Sequence, residues 1–240
     1  MAADDTDRRL IDGLSGADPR IQSAAIANIA AAPGERVSDE VMAALVRCVG
    51  AAAKSVQLGA AKALAAIAGA SDERAAAMLR AALRDPSPRM RWGAAFALSR
   101  IDGDAFGIDA VDAIAEALGN PDSDVRWSAA ELLTRLGLRH PDEIRARLLE
   151  LAGHGEPNVH RMALYCIRDL GCCGGDVIAA IERALADENR FVRLAAVSVL
   201  SRIDETGAEA ARILNRCLES DTDAGVRGAA QSALAKLNRR

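Results

Sequence analysis

The chain has only two tryptophans in 240 residues, and each directly follows an arginine in the same short setting: Trp92 in "MRWGAAFALSRI" and Trp127 in "VRWSAAELLTRLG". An indole beside a guanidinium offers a large apolar contact and a charged donor fork, a pairing suited to recognising a partner rather than to making bonds. Residues for catalysis are scarcer. There is no Gly-rich phosphate loop, no GxSxG and no HExxH, and none of the three histidines precedes a glutamate, so no catalytic residue, metal ligand or cofactor is assigned. The five cysteines, Cys48, Cys166, Cys172, Cys173 and Cys217, form no CxxC pair and show no zinc spacing. Cys48, Cys166 and Cys217 stand among apolar helical neighbours and read as buried, reduced thiols. Cys172 and Cys173 lie in the turn "LGCCGGD" with His154 and His160 upstream, but no pair among them has the i, i+4 spacing of helical ligands.

The elements that position these residues follow from composition and repetition. Half of the chain is apolar, only 2% is aromatic, and alanine supplies much of the apolar count. That balance predicts closely packed helices. A net charge of −4 and a pI near 5.5 argue against a nucleic-acid or anionic-membrane surface. No apolar run reaches the length of a membrane span, and the opening "MAADDTDRRLIDGL" is acidic where a secretory signal would be basic. A soluble, cytoplasmic protein is expected.

An apolar residue, a long polar residue, two variable positions and an alanine recur seven times, starting at Ile21, Val56, Met90, Val125, Val159, Val192 and Val226, in steps of 33 to 35. Counting each start as position zero, position four is always alanine: Ala25, Ala60, Ala94, Ala129, Ala163, Ala196 and Ala230. Position eight is Ile29, Leu64, Leu98, Leu133, Ile167, Leu200 and Leu234, and position eleven is Ala32, Ile67, Ile101, Leu136, Leu170, Ile203 and Leu237. These positions fall within about 80° of one another around a helix, which makes them one core stripe. A methyl group at position four lets neighbouring helices approach where a larger side chain would overpack the seam. A second apolar-periodic segment precedes each such helix, so every repeat is a helical hairpin. "AAPGERVSD" reads as a long turn between the first two hairpins, and no domain boundary is visible within residues 1–240.

The segments "DPSPRMRWGAAFAL", "NPDSDVRWSAAELL" and "DENRFVRLAAVSVL" resemble the HEAT-like repeats first described in phycobilin lyases, over residues 16 to 237. The aromatic residues and Leu-Gly pair of tetratricopeptide repeats are missing. The resemblance implies an all-α, right-handed solenoid of about seven hairpins, with the alanine-bearing helices on the concave side. On those helices positions two and six face away from the stripe and hold Trp92, Phe96, Trp127 and Tyr165. We expect these four to form an aromatic patch on the concave face, bordered by Glu131, Arg161 and Arg168. Burial of the same aromatics between repeats, cover by the chain's own termini and a homodimer contact are the alternatives.

Position one reads Gln22, Gln57, Arg91, Arg126, His160, Arg193 and Arg227. In HEAT-like proteins such arginines bond acidic residues of the inter-helix turns, so Arg91, Arg126, Arg193 and Arg227 are expected to form a structural ladder with Asp85, Asp124, Asp187 and Asp221. The ladder should weaken at the two glutamines and at His160. The function this implies is a non-enzymatic adaptor, scaffold or chaperone that holds a protein partner's peptide or helix in its groove. A bilin lyase subunit or chromophore-handling protein is the alternative from the same resemblance. A HEAT-like DNA glycosylase is disfavoured because only Lys54, Lys62 and Lys236 are lysines and DNA affinity rests on phosphate neutralisation.

Overall fold

Some helices begin with a proline and others behind an aspartate or asparagine cap, Asp122, Asn189 and Asp223, and these residues set where the helices start. Pro88, Pro141 and Pro157 each occupy the first turn of a helix, where the missing N–H costs nothing. The computed structural model describes residues 2–31, 37–69, 73–101, 107–153, 155–202 and 207–239. Ala32, Ile203, His154 and the centre of "AAPGERVSD" lie outside the described residues. Every regular element among the described residues is helical, and none is long and apolar enough to cross a membrane.

The chain divides into two units, Met1–Ala113 and Ile114–Arg240. The first holds α1 (Ala2–Ser15), α2 (Pro19–Ala31), α3 (Asp39–Cys48), α4 (Lys54–Gly69), α5 (Glu73–Ala82) and α6 (Pro88–Leu98), and α7 (Val111–Ala117) runs across the division. The second holds α8 (Ser123–Gly137), α9 (Pro141–Leu151), α10 (Pro157–Asp169), α11 (Gly175–Leu185), α12 (Arg190–Leu200), α13 (Gly207–Ser220) and α14 (Ala224–Leu237). In the first unit α1 packs on α2, α3 on α4 and α5 on α6, while α2, α4 and α6 form one layer and α1, α3 and α5 the other. In the second, α9 packs on α10, α11 on α12 and α13 on α14, and α8, α10, α12 and α14 follow one another in a layer. Each unit is thus a stack of hairpins, the α-solenoid arrangement.

The stripe forms the core of both units. Ala60, Ala94, Ala129, Ala163, Ala196 and Ala230 are fully buried and Ala25 nearly so, as are Leu64, Leu98, Leu133, Ile167 and Leu200 four residues further on. Met90, Val125, Val159 and Leu170 of the stripe are half-buried, and the larger departures lie in the first and last helical pairs. Ile21 is 54% exposed although Val56 and Val192 at its register are fully buried, because it stands in the first hairpin, beside an open cleft of about 450 Å³ lined by Leu10, Gly13 and Val37. Leu234 and Leu237 are only half-buried, since α14 has a neighbour in its layer on one side alone.

Candidate functional site

The turns that start the even-numbered helices decide how those helices are rotated. Before α8, the Asn120 side-chain oxygen accepts the Asp122 N–H at 2.9 Å and the Asp122 carboxylate accepts the Asp124 N–H at 2.9 Å. Asp187 and Asn189 repeat this before α12, and Asp221 and Asp223 before α14. The position-one side chain then closes the turn from inside the helix. Arg126 donates to the carbonyls of Asn120 and Pro121 at 2.6 and 2.9 Å, Arg91 to those of Asp85 and Pro86 at 2.7 and 2.9 Å, and Arg227 to that of Asp221 at 2.7 Å. Each of these arginines therefore reaches a backbone carbonyl of its own turn rather than resting on a carboxylate alone.

Arg193 does both. It donates to the Asp187 and Glu188 carbonyls at 2.9 and 3.0 Å, and its fork grips the Asp221 carboxylate of the following repeat at 2.8 and 3.1 Å. His160 Nδ1 lies 3.3 Å from Asp187. The glutamines bond a different acceptor. Gln22 donates to the Leu14 carbonyl at 3.0 Å and Gln57 to the Val49 carbonyl at 2.9 Å, so a neutral amide caps the preceding helix end where arginine bonds the turn. Asp85 accepts the Ser87 N–H at 2.8 Å and serves its own turn.

With the helices fixed in this way, the aromatic residues take their places. Trp127 on α8 and Tyr165 on α10 stack nearly parallel, with ring centroids 5.5 Å apart and planes at 11°. Trp127 is nevertheless 51% exposed and Tyr165 half-buried. The Arg168 guanidinium lies 4.8 Å from the Tyr165 ring and is held by Asp169 through bonds of 2.7 and 3.0 Å. Glu131, one turn beyond Trp127, is exposed. Arg161, one turn before Tyr165, donates to the Asn158 side-chain oxygen at 3.1 Å and faces the Phe191 ring at 6.0 Å.

Trp92 corrects the expectation. It is 6% exposed and therefore core, with Phe96 against it at 5.7 Å and Arg100 5.9 Å from the Phe96 ring. The reason lies one residue on. A Cβ at Gly93 would collide with the Val49 carbonyl, so the bare glycine lets α6 come closer to the end of α3 than any other residue would, and the indole is drawn in with it. Phe191, 46% exposed at the start of α12 and also faced by Arg190 at 4.7 Å, was missed by the repeat pattern. A signal was available. It is the sole large apolar residue at its register, where the other repeats carry Arg20, Ser55, Arg89, Asp124, Asn158 and Gly225.

Among the described residues no three His, Cys, Asp or Glu side chains group as metal ligands. Burial pushes the Cys166 thiol up to about 12 and raises those of Cys48 and Cys217, so these thiols stay protonated at neutral pH. Cys172 and Cys173 are partly exposed. Arg145 on α9 donates to the Cys173 carbonyl at 3.0 Å and pairs with Asp176 on α11, holding that turn in place.

A family model for HEAT repeats matches residues 8–99, 77–146 and 144–235. Among solved structures, an archaeal HEAT-like repeats protein from Thermococcus onnurineus NA1 is similar over 100% of this chain and 98% of its own, at 15% identity and a TM-score of 0.51. An engineered protein is 21% identical over 97% of this chain and 68% of its own, at a TM-score of 0.46. No curated protein sequence is detectably similar.

Proposed function

The chain belongs to the HEAT repeat family, and from that premise we propose that it is a non-enzymatic interaction module, an adaptor, scaffold or chaperone. HEAT repeats generally serve as protein-interaction scaffolds. The proposed contact surface is the exposed side of α8, α10 and α12, with Trp127, Tyr165, Glu131, Arg161 and Arg168 as its contact residues. Trp92 is not among them because it is core, while half-buried Phe96 stands in the first unit as a separate candidate contact. That residues 1–240 work as one domain, and do so in the cytoplasm, belongs to the same proposal.

One observation carries this reading: the stacked Trp127–Tyr165 pair, whose indole is half in water. An exposed indole lowers solubility and gains most of its worth when a partner covers it, and Trp, Tyr and Arg dominate measured binding energies. The test is affinity capture from the native cells with the parent protein and with the Trp127→Ala, Tyr165→Ala double variant, after circular dichroism shows the same helicity. A protein retained by the parent and lost by the variant supports the reading. Equal capture by both moves the interaction surface elsewhere.

A further inference from the structure

Several arginines of the second unit already have a carboxylate. Arg168 and Arg202 meet Asp169, Arg190 meets Asp223 and Arg193 meets Asp221. Among the described residues, Arg161 meets none. Its polar partner is the neutral oxygen of Asn158 at 3.1 Å, and its Nε–H is withdrawn from water without an acceptor. A guanidinium whose one polar partner is neutral gains a charge-assisted pair when a carboxylate reaches its Nη groups. Glu131 has no such need, because an exposed carboxylate remains solvated.

The surroundings select the ligand further. Phe191 lies 6.0 Å from the Arg161 guanidinium, and Tyr165, stacked with Trp127, stands one helical turn along α10. Trp127 and Arg161 occupy the same register of α8 and α10, two helices packed side by side. Arg168 and Arg190 also face these rings, at 4.8 and 4.7 Å, but each has its own carboxylate, so Arg161 is the guanidinium that fits a partner's carboxylate next to an apolar side chain. Resting on the reading of this surface as a docking site, we infer that Arg161 is the carboxylate receptor of the site and that the partner segment is a peptide pairing an aspartate or glutamate with an apolar anchor.

The test is selection of a displayed random-peptide library on the full chain, followed by binding of the enriched peptides, made synthetically and fluorescently labelled, to the parent and its variants. The parent should enrich peptides with an acidic residue beside an apolar one, bound more weakly as salt rises. Arg161→Gln should weaken them about tenfold or more, and Arg161→Lys should weaken them less while keeping the acidic preference. Arg161→Glu should exchange the acidic preference for a basic one, a gain that misfolding cannot imitate. Peptides that need Trp127 but show no acidic preference, or that bind Arg161→Gln as well as the parent, would overturn the inference and leave the docking surface standing. A preference for phosphoserine over glutamate would overturn the carboxylate assignment. Failure of the parent to enrich any peptide would sink the docking reading, and the inference with it.

Discussion

In residues 1–113 the arginine-tryptophan pair of α6 is folded inward, and Trp92 is 6% exposed, whereas in residues 114–240 the same pair on α8 leaves Trp127 51% exposed. Both tryptophans stand at position two of their repeat, and both follow an arginine that closes its turn through two backbone carbonyls. Capping geometry therefore does not distinguish them. The next residue does: Gly93 brings α6 against the Val49 carbonyl, while α8 carries Ser128 there. The repeat fixes the direction in which a side chain leaves its helix. What covers it depends on how closely that helix approaches its neighbours.

The largest expected effect separates the two rings directly. Trp92→Ala should cost about 3–5 kcal/mol, as removal of a buried aromatic does. Trp127→Ala should cost no more than about 1 kcal/mol, because half of its ring is already in water and the loss is chiefly one stacked pair. Urea denaturation of both variants measures this. Equal losses would mean that Trp127 is as much a part of the core as Trp92.

A second test probes what the two regions share. Ala60 in α4 and Ala129 in α8 are both fully buried at the seam between even-numbered helices, so Ala60→Leu and Ala129→Leu should each cost about 1–3 kcal/mol by overpacking. Thermal melting of the two variants is the measurement. A variant that melts like the parent would show that the seam is loose in its unit, and the common stripe would then hold in only one of the two.

The helices, their pairing and this seam were legible in the sequence because packing of one stripe dictates them, and seven alanines in register leave little choice. The site was legible only in part. Trp127 and Tyr165 come together from positions two and six of adjacent helices, both on the side away from the core stripe, and Arg168 joins from the next turn of α10. The burial of Trp92 was not readable from a helical wheel, since it follows from a backbone approach at Gly93, between elements far apart in the chain. The carbonyl bonds that close the turns were not readable for a similar reason. Glutamine and arginine look unlike as carboxylate partners, but both are donors, and backbone carbonyls accept either.

That equivalence can itself be broken. Gln57 bonds one carbonyl through a neutral amide, whereas Arg193 bonds two carbonyls and a largely buried carboxylate of the next repeat. Arg193→Gln should exchange the turn bonds for one to the end of α11, as Gln57 does at the end of α3, and lose the link to Asp221, at a cost of about 1–2 kcal/mol. Gln57→Arg should change stability by less, since the Gln57 amide already satisfies the Val49 carbonyl at the end of α3. Denaturant midpoints at low and high salt would read the difference, with salt sensitivity expected from the arginine site of the parent and not from the glutamine site.

The smallest effect concerns acid, and it again falls in the second region. Asp176 is held below the usual carboxylate range, first by its hydrogen bond from Arg145 and further by the Val177 N–H. A carboxylate whose value is lowered by folding adds stability that is complete above the unfolded value and disappears as pH falls through the folded one. The contribution stays under about 1 kcal/mol, because the paired side chains are 33% and 50% exposed and water screens them. Asp176→Asn should therefore melt slightly below the parent at about pH 6, and the gap should close as the medium is taken to about pH 3. Arg145 also bonds the Cys173 carbonyl, so loss of the pair loosens the turn between α10 and α11 without unstacking Tyr165 from Trp127. Iodide quenching of Trp127 fluorescence should be the same in the variant as in the parent, and a rise in quenching would show that the turn helps to hold the candidate surface in shape.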